Sequence, residues 1–225
     1  MISNETHNDR TIRSFVQRGR VTDSQKQAWN DYGAEYIVAP EHVVWDNAHV
    51  EIGFGNGSAL IHTATQWPDR EFIGIEVHKA GIGRILHLIN SAQLPNVKIL
   101  YGDAVQILQQ HVPNASLGGM NIFFSDPWPK QRHHKRRLIQ PDFVDLLAQK
   151  LSVAAYLHLA TDWQPYAQQM LTVMQHNQNF VNKYSANNYL HKKQVELLRP
   201  STKFEQRGVR LGHDSWDLLF IKLGN

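Results

Sequence analysis

Four carboxylates, a glycine-spaced loop and a run of cations are the features of this 225-residue chain whose types and spacing could do chemistry. The loop reads Glu51-Ile52-Gly53-Phe54-Gly55-Asn56-Gly57. Glycines at alternate positions let the backbone turn sharply into a following helix and let a ligand approach the main chain. The spacing is G-x-G-x-G, not the G-x-G-x-x-G of dinucleotide folds, in which a helix N-terminus faces a pyrophosphate. Glu51, just before the first glycine, sets negative charge beside the ligand. That charge repels a pyrophosphate and suits the cationic amino group or the sulfonium of S-adenosylmethionine. Glu76 ends the next apolar run, where a carboxylate can accept hydrogen bonds from both ribose hydroxyls of an adenosine. Asp103, in Tyr101-Gly102-Asp103-Ala104, either accepts from an adenine amino group or caps the helix that starts at Ala104.

The fourth carboxylate lies in Ser125-Asp126-Pro127-Trp128-Pro129-Lys130. Two prolines stiffen this loop and fix where Asp126 and the indole of Trp128 point. An acid beside an aromatic makes a base pocket, with a face for stacking and acceptors for the donor edge of a guanine. Residues 130–137 follow at once, carrying Lys130, Arg132, Lys135, Arg136 and Arg137 with His133 and His134, and no acid. A charge run often means a solvated helix face; beside a presumed reaction centre it predicts contacts with RNA phosphates. Residues 10–20 add four arginines, again with no acid. His133 and His134 are adjacent and would diverge by about 100° on a helix, and no carboxylate is close in sequence, so no metal site is expected.

Those groups need strands and helices to bring them together. Strand candidates are His49–Phe54, Glu71–Glu76, Val97–Tyr101, Met120–Ser125, Leu157–Thr161 and Trp216–Leu223. Helical patterns lie between them at Ser58–Gln66, Lys79–Gln93, Ala104–His111, Pro141–Leu151 and Gln164–Gln175, with a further helix in 26–45 that gives way to a loop at Pro40. Such alternation predicts an α/β fold with a doubly wound, mainly parallel sheet. Ligands of these sheets bind beyond the carboxyl ends of the strands, where each loaded segment above falls. No repeat or low-complexity linker divides the chain, which reads as a basic arm over 1–25 and a single domain over 26–225.

Composition narrows the class. The absence of cysteine excludes disulfides, thiolate metal sites and cysteine nucleophiles. A formal charge of +3, thirteen histidines and a pI near 9.1 favour polyanionic partners. No apolar stretch approaches the roughly 18–20 residues of a membrane span, and the N-terminus has no apolar core of a signal peptide. A cytoplasmic protein without membrane or metal partners is therefore expected.

The strings EIGFGNG, GIEVHKAGIGR, DPWPKQRHHKRR, ATDWQPYA and TKFEQRGVRLGHDSWDLLF together resemble the bacterial tRNA (guanine-N7-)-methyltransferase family. The likeness runs from about Arg10 to the last strand. It implies a class I, Rossmann-like methyltransferase fold with a seven-stranded sheet whose last strand is antiparallel. It implies methyl transfer from S-adenosylmethionine to N7 of a guanine in the tRNA variable loop, by a monomer or a homodimer. By motif, Glu51, Gly53, Gly55, Gly57, Glu76, Asp103 and Asp126 would border the cofactor, with Asp126 catalytic. Lys130, Asp162, Thr202, Lys203, Phe204 and Glu205 would meet the substrate, and Arg132, His133, His134, Lys135, Arg136 and Arg137 the RNA. Ser125 and Asn56 stand where the family usually has proline and methionine. Two other readings share part of this pattern. A class I methyltransferase for another RNA base or a small molecule keeps the loop but leaves 130–137 without a task. A non-catalytic RNA-binding module keeps 130–137 but would not bind the cofactor.

Overall fold

Strands β1 (Ala48–Ile52) and β2 (Phe72–Glu76) are buried at every residue, as parallel strands covered by helices on both faces must be. Around them the computed structural model, which describes residues 21–184, 189–201, 205 and 214–224, builds one twisted sheet. The other strands are β3 (Val97–Tyr101), β4 (Leu117–Phe123), β5 (Leu151–Thr161), β6 (Phe180–Asn182) and β7 (Trp216–Lys222). Their order is β3-β2-β1-β4-β5-β7-β6, parallel from β3 to β5, with β7 antiparallel to both of its neighbours. Chain order reverses between β1 and β4, which opens a crevice at their carboxyl ends.

Two apolar layers hold the sheet. Val50, Ile52, Ile73 and Ile75 face the side covered by α4 (Ala104–Gln110), α5 (Pro141–Lys150) and α6 (Gln164–His176). Phe54, Phe72 and Ile99 pack with α2 (Ser58–Gln66) and α3 (Lys79–Ala92) on the opposite side. α7 (Lys192–Leu198) covers β7 there, through a cluster of Leu190, Val195 and Leu219.

The elements differ from the expected ones in particular places. α1 (Asp23–Tyr36) begins inside the segment expected to be an arm. The reason is a capping box. Thr22 Oγ1 accepts from Gln25 N at 3.3 Å, and Gln25 Oε1 accepts from Thr22 N at 2.9 Å. α1 then lies against α3, where Trp29 donates to the Lys79 carbonyl at 3.2 Å. Pro40 opens a single 3-10 turn (Pro40–His42), its fixed φ suiting the first helical position. β5 starts at Leu151 rather than Leu157. Its pairing with β4 shifts between Leu117 and Gly119, and Ala154 takes φ 67°. That irregularity exposes Val153 and breaks the alternation that marks a strand. The strand absent from the six expected ones, β6, has only three residues and no readable period. Among the described residues no helix is long and apolar enough to cross a membrane, and no group of three or more His, Asp or Glu could hold a metal ion.

Candidate cofactor and nucleic-acid site

The chain leaves β1 through three left-handed glycines, Gly53, Gly55 and Gly57, with φ of 69°, 57° and 78°. At Gly57, the N-cap of α2, a side chain would run into Ile85 of α3, so this glycine serves close packing and does not border the cavity. Gly57 offers no side chain to cap α2. Asn56 does so instead, accepting from Ser58 Oγ at 3.0 Å and from Ser58 N at 3.4 Å. Asn56 thus has a structural use of its own.

Glu51, Gly53, Gly55, Glu76, Asp103 and Asp126 line a single cavity at the carboxyl ends of β1, β2, β3 and β4. Glu51 is 2% exposed, and its Oε2 has no hydrogen-bond partner. Burial pushes its pKa up to about 8; the charge of Arg199 and a hydrogen bond from Asn121 pull it down, and the charge of Glu76 adds to the rise. Glu76 clasps the site. Its Oε2 accepts from Gly55 N at 3.1 Å, and its Oε1 accepts from Val77 N at 2.7 Å and His78 N at 3.0 Å. One carboxylate thus ties the glycine loop to the start of α3. Asp103 caps α4, with Oδ1 accepting from Val105 N at 2.8 Å and Gln106 N at 3.3 Å, and the same side chain borders the cavity. Both readings of Asp103 are compatible with this geometry.

Asp126 stands on the rim, on a loop that leaves β4 through Phe124 at φ 53°. Burial on its inner side raises the Asp126 pKa, opposed by the charge of His78, another residue lining the cavity. Trp128, at φ 44°, has the Arg136 guanidinium 5.0 Å from its ring centroid and the edge of His133 at 5.8 Å. Trp128 and Arg136 also line the cavity. The cations therefore begin where the carboxylates end.

A family model described as "Putative methyltransferase" matches residues 46–218. A tRNA (guanine-N(7)-)-methyltransferase of Paraburkholderia xenovorans (strain LB400) is 46% identical over 96% of this chain and 85% of its own length. Another, of Nitrosococcus oceani, is 45% identical over 96% of this chain and 93% of its own. The chain belongs to the tRNA (guanine-N(7)-)-methyltransferase family. Among solved structures, the 16S rRNA methyltransferase KamB is similar in fold, with a TM-score of 0.54 at 16% identity over 93% of this chain and 99% of that one. S-adenosylmethionine is the cofactor of this class. The cavity fits it: a buried carboxylate oxygen without a partner awaits a cation, and three further carboxylates border the same space.

In this methyltransferase the basic run forms a short 3-10 helix (Gln131–Arg136). Lys130, Arg132, Lys135 and Arg136 are exposed, and His133 and His134 are half-buried. Arg137 is not part of that surface. It is 2% exposed and turns inward, where Nε donates to the Pro127 carbonyl at 2.7 Å and Nη1 donates to Gln169 Oε1 at 2.5 Å. Its guanidinium lies 5.0 Å from the Tyr166 ring centroid. The expectation that Arg137 meets RNA is therefore corrected, because an arginine enclosed by the protein cannot reach a phosphate.

Asp162 follows β5 and is half-buried beside the cavity's neighbouring strand, but it does not line the cavity. Glu205 pairs with Arg199, at 2.8 Å from Oε2 to Nη1. Thr202, Lys203, Phe204 and the arginines of 10–20 lie outside the described residues. Sequence reasoning passed over His78, which was readable only as part of a helix start, and Arg199, whose Leu-Leu-Arg-Pro context carries no chemical pattern.

Proposed function

We propose that this chain transfers the methyl group of S-adenosylmethionine to N7 of a guanine in tRNA, at position 46 of the variable loop. The observation that carries this reading is the continuity of the site. Carboxylates suited to a cationic nucleoside line one cavity, and its rim passes through Asp126 and Trp128 into exposed Arg132, Lys135 and Arg136.

S-adenosylmethionine supplies an electrophilic methyl carbon on a sulfonium. Glu51 neutralises the cationic end of that molecule, Glu76 accepts from its ribose hydroxyls, and Asp103 accepts from the adenine amino group. Guanine N7 presents an in-plane lone pair and carries no proton. The protein therefore needs no strong base at the point of attack, and its main task is alignment, for which gains of roughly 7–11 kcal/mol are attainable. Asp126 accepts hydrogen bonds from the N1 and N2 donors of the guanine. This pushes electron density towards N7 and offsets the positive charge growing on the purine. Trp128 offers a stacking face, and Lys130, Asp162 and residues 202–205 hold the flanking nucleotide. Arg132, His133, His134, Lys135 and Arg136 contact the RNA backbone. The reading assigns the chain to the cytoplasm, where tRNA is met, as a monomer or a homodimer.

The test is nucleoside analysis of tRNA incubated with the full chain and methyl-labelled cofactor. Label in 7-methylguanosine, lost when G46 of the tRNA is replaced by A, is the expected result. Label in another nucleoside, or retained without G46, would sink the assignment.

A further inference from the structure

Glu51 belongs to a buried polar row that crosses the sheet. Asn121 of β4 is paired in register with Glu51 of β1 on one side and with His158 of β5 on the other. All three are buried. His158 Nε2 lies 2.8 Å from Asp217 Oδ1 of β7. Both Asp217 oxygens then accept from Arg199, from Nε and from Nη2, each at 2.7 Å. Arg199 continues to Glu205, with Nη1 donating to Oε2 at 2.8 Å and Nη2 to Oε1 at 3.4 Å, and Ser215 Oγ donates to the same Oε1 at 2.8 Å.

Arg199 is 1% exposed and stands at the junction. Its guanidinium lies 5.3 Å from the centroids of both Phe123 and Phe124, two residues that line the cofactor cavity. Phe124 adopts a left-handed conformation that non-glycine residues seldom take. It is held there by donating its N–H to the Ala160 carbonyl at 2.8 Å, and it turns the chain out of β4 towards Asp126. Burying an arginine with two carboxylates is a poor way to gain stability, because desolvation offsets the attraction and apolar replacements often do as well. Yet this cluster sits between the cavity wall and Glu205, the last residue of the Thr202–Glu205 stretch that the functional reading sets against the substrate.

We propose that Arg199 is a positioning residue for methyl transfer, locking the Phe123–Phe124 turn that aims Asp126 to Glu205, so that the cofactor cavity and the substrate-facing Glu205 are set as one unit. The inference rests on the functional reading above. It differs from a structural role in what it predicts. The apolar double variant Arg199→Met/Asp217→Leu removes the buried Arg199–Asp217 pair and leaves Glu205 its hydrogen bond from Ser215. It should still unfold in one cooperative transition and, since the Arg199 charge no longer favours an ionised Glu51, bind S-adenosylhomocysteine more weakly at pH 7, while kcat at saturating cofactor falls at least tenfold. Arg199→Lys keeps the charge but loses the planar, bidentate grip, and should bind S-adenosylhomocysteine within threefold of the wild type while kcat falls at least tenfold.

Measurements on the full chain are melting temperature, calorimetric Kd for S-adenosylhomocysteine, and kcat and KM for tRNA. Turnover within threefold of the wild type in either folded variant overturns the proposal. So does a loss of kcat that merely tracks lost thermal stability or, in Arg199→Lys, lost S-adenosylhomocysteine affinity. If the double variant does not fold, Arg199→Lys decides by the same criteria. A wild-type chain that makes no 7-methylguanosine would defeat the functional reading itself, a result distinct from an active wild type with equally active variants.

Discussion

Arg137 Nε donates to the Pro127 carbonyl at 2.7 Å, from behind the loop that carries Asp126. The same arginine reaches Gln169 and lies over Tyr166, whose hydroxyl is 3.4 Å from Ser125 Oγ and accepts from Ile139 N at 3.1 Å. The Asp126 loop is therefore pinned on both sides, with Ser125 held by a polar contact to Tyr166. Arg137→Ala should destabilise the fold by about 1.5–3 kcal/mol, the range for a lost hydrogen bond to a charged group. It should also lower kcat more than it raises the KM for tRNA, because the loop loses its support while the RNA surface stays intact. Chemical denaturation and steady-state kinetics on one preparation check both. A rise in KM with kcat untouched would return Arg137 to the RNA surface.

The exposed cations beside it should behave in the opposite way. Arg132→Ala and Lys135→Ala leave buried contacts untouched, so stability should move by no more than about 0.5 kcal/mol, and Arg136→Ala, which also gives up its contact with the Trp128 ring, by about 0.5–1 kcal/mol. Each should weaken tRNA binding and flatten the plot of log affinity against log salt by about one unit per lost phosphate contact. Binding titrations from low to moderate salt measure that slope. If the triple variant keeps the wild-type slope, the run is a solvated face.

The contrast between these neighbours marks where sequence reading stops. Alternation of apolar runs with helical periods was enough to place β1 to β4 and the carboxylates at their tips, because those patterns are local. The direction in which Arg137 points is decided by Gln169 and Tyr166 on α6, far along the chain, so nothing in KQRHHKRR distinguishes it from Arg136. Glu76 likewise reads as a ligand-binding acid from its place after β2, while its grip on Gly55, Val77 and His78 appears only once the two loops meet. Arg199 was invisible for the same reason, since its partners Asp217 and Phe123 lie on β7 and β4. The capping box at Thr22 and Gln25 was legible in principle, but the basic residues before it drew the first three residues of α1 into the arm.

The raised pKa of Glu51 gives a signed prediction. Burial, opposed by Arg199 and Asn121 and reinforced by Glu76, lifts it from an ordinary 4.5 to about 8. The free protein therefore holds a proton on Glu51 at pH 7, whereas a cationic ligand favours the carboxylate. Binding of S-adenosylhomocysteine at pH 7 should release a proton, and affinity should rise with pH and level off above about 8. For folding, the unfolded chain ionises first, so between 4.5 and about 8 the folded state binds more protons and Glu51 lowers stability as pH rises. Glu51→Gln imitates the protonated form. It should keep the stability, lose the proton release and weaken the affinity. Calorimetry in buffers of different ionisation enthalpy reads the proton directly. Equal observed enthalpies for the wild type in all of them would count against a protonated Glu51.

Asp126 carries the chemical step in this reading, and two substitutions separate its charge from its shape. The carboxylate is exposed on the rim, so Asp126→Asn and Asp126→Ala should change stability by no more than about 0.5 kcal/mol. Asparagine retains one acceptor oxygen but sets a donor amide where the guanine N1 and N2 donors need acceptors, and it brings no charge to balance the purine. A preorganised electrostatic partner of this kind is worth about 10²–10³ in kcat. Both variants should lose that much in single-turnover methylation. If acceptance by the ionised carboxylate is what matters, asparagine should rescue little over alanine. S-adenosylhomocysteine should still bind, because Glu51 and Glu76 lie deeper in the cavity and are unchanged. A variant that transfers methyl within threefold of the wild-type rate would remove Asp126 from the reaction and leave positioning by the rest of the site to account for it.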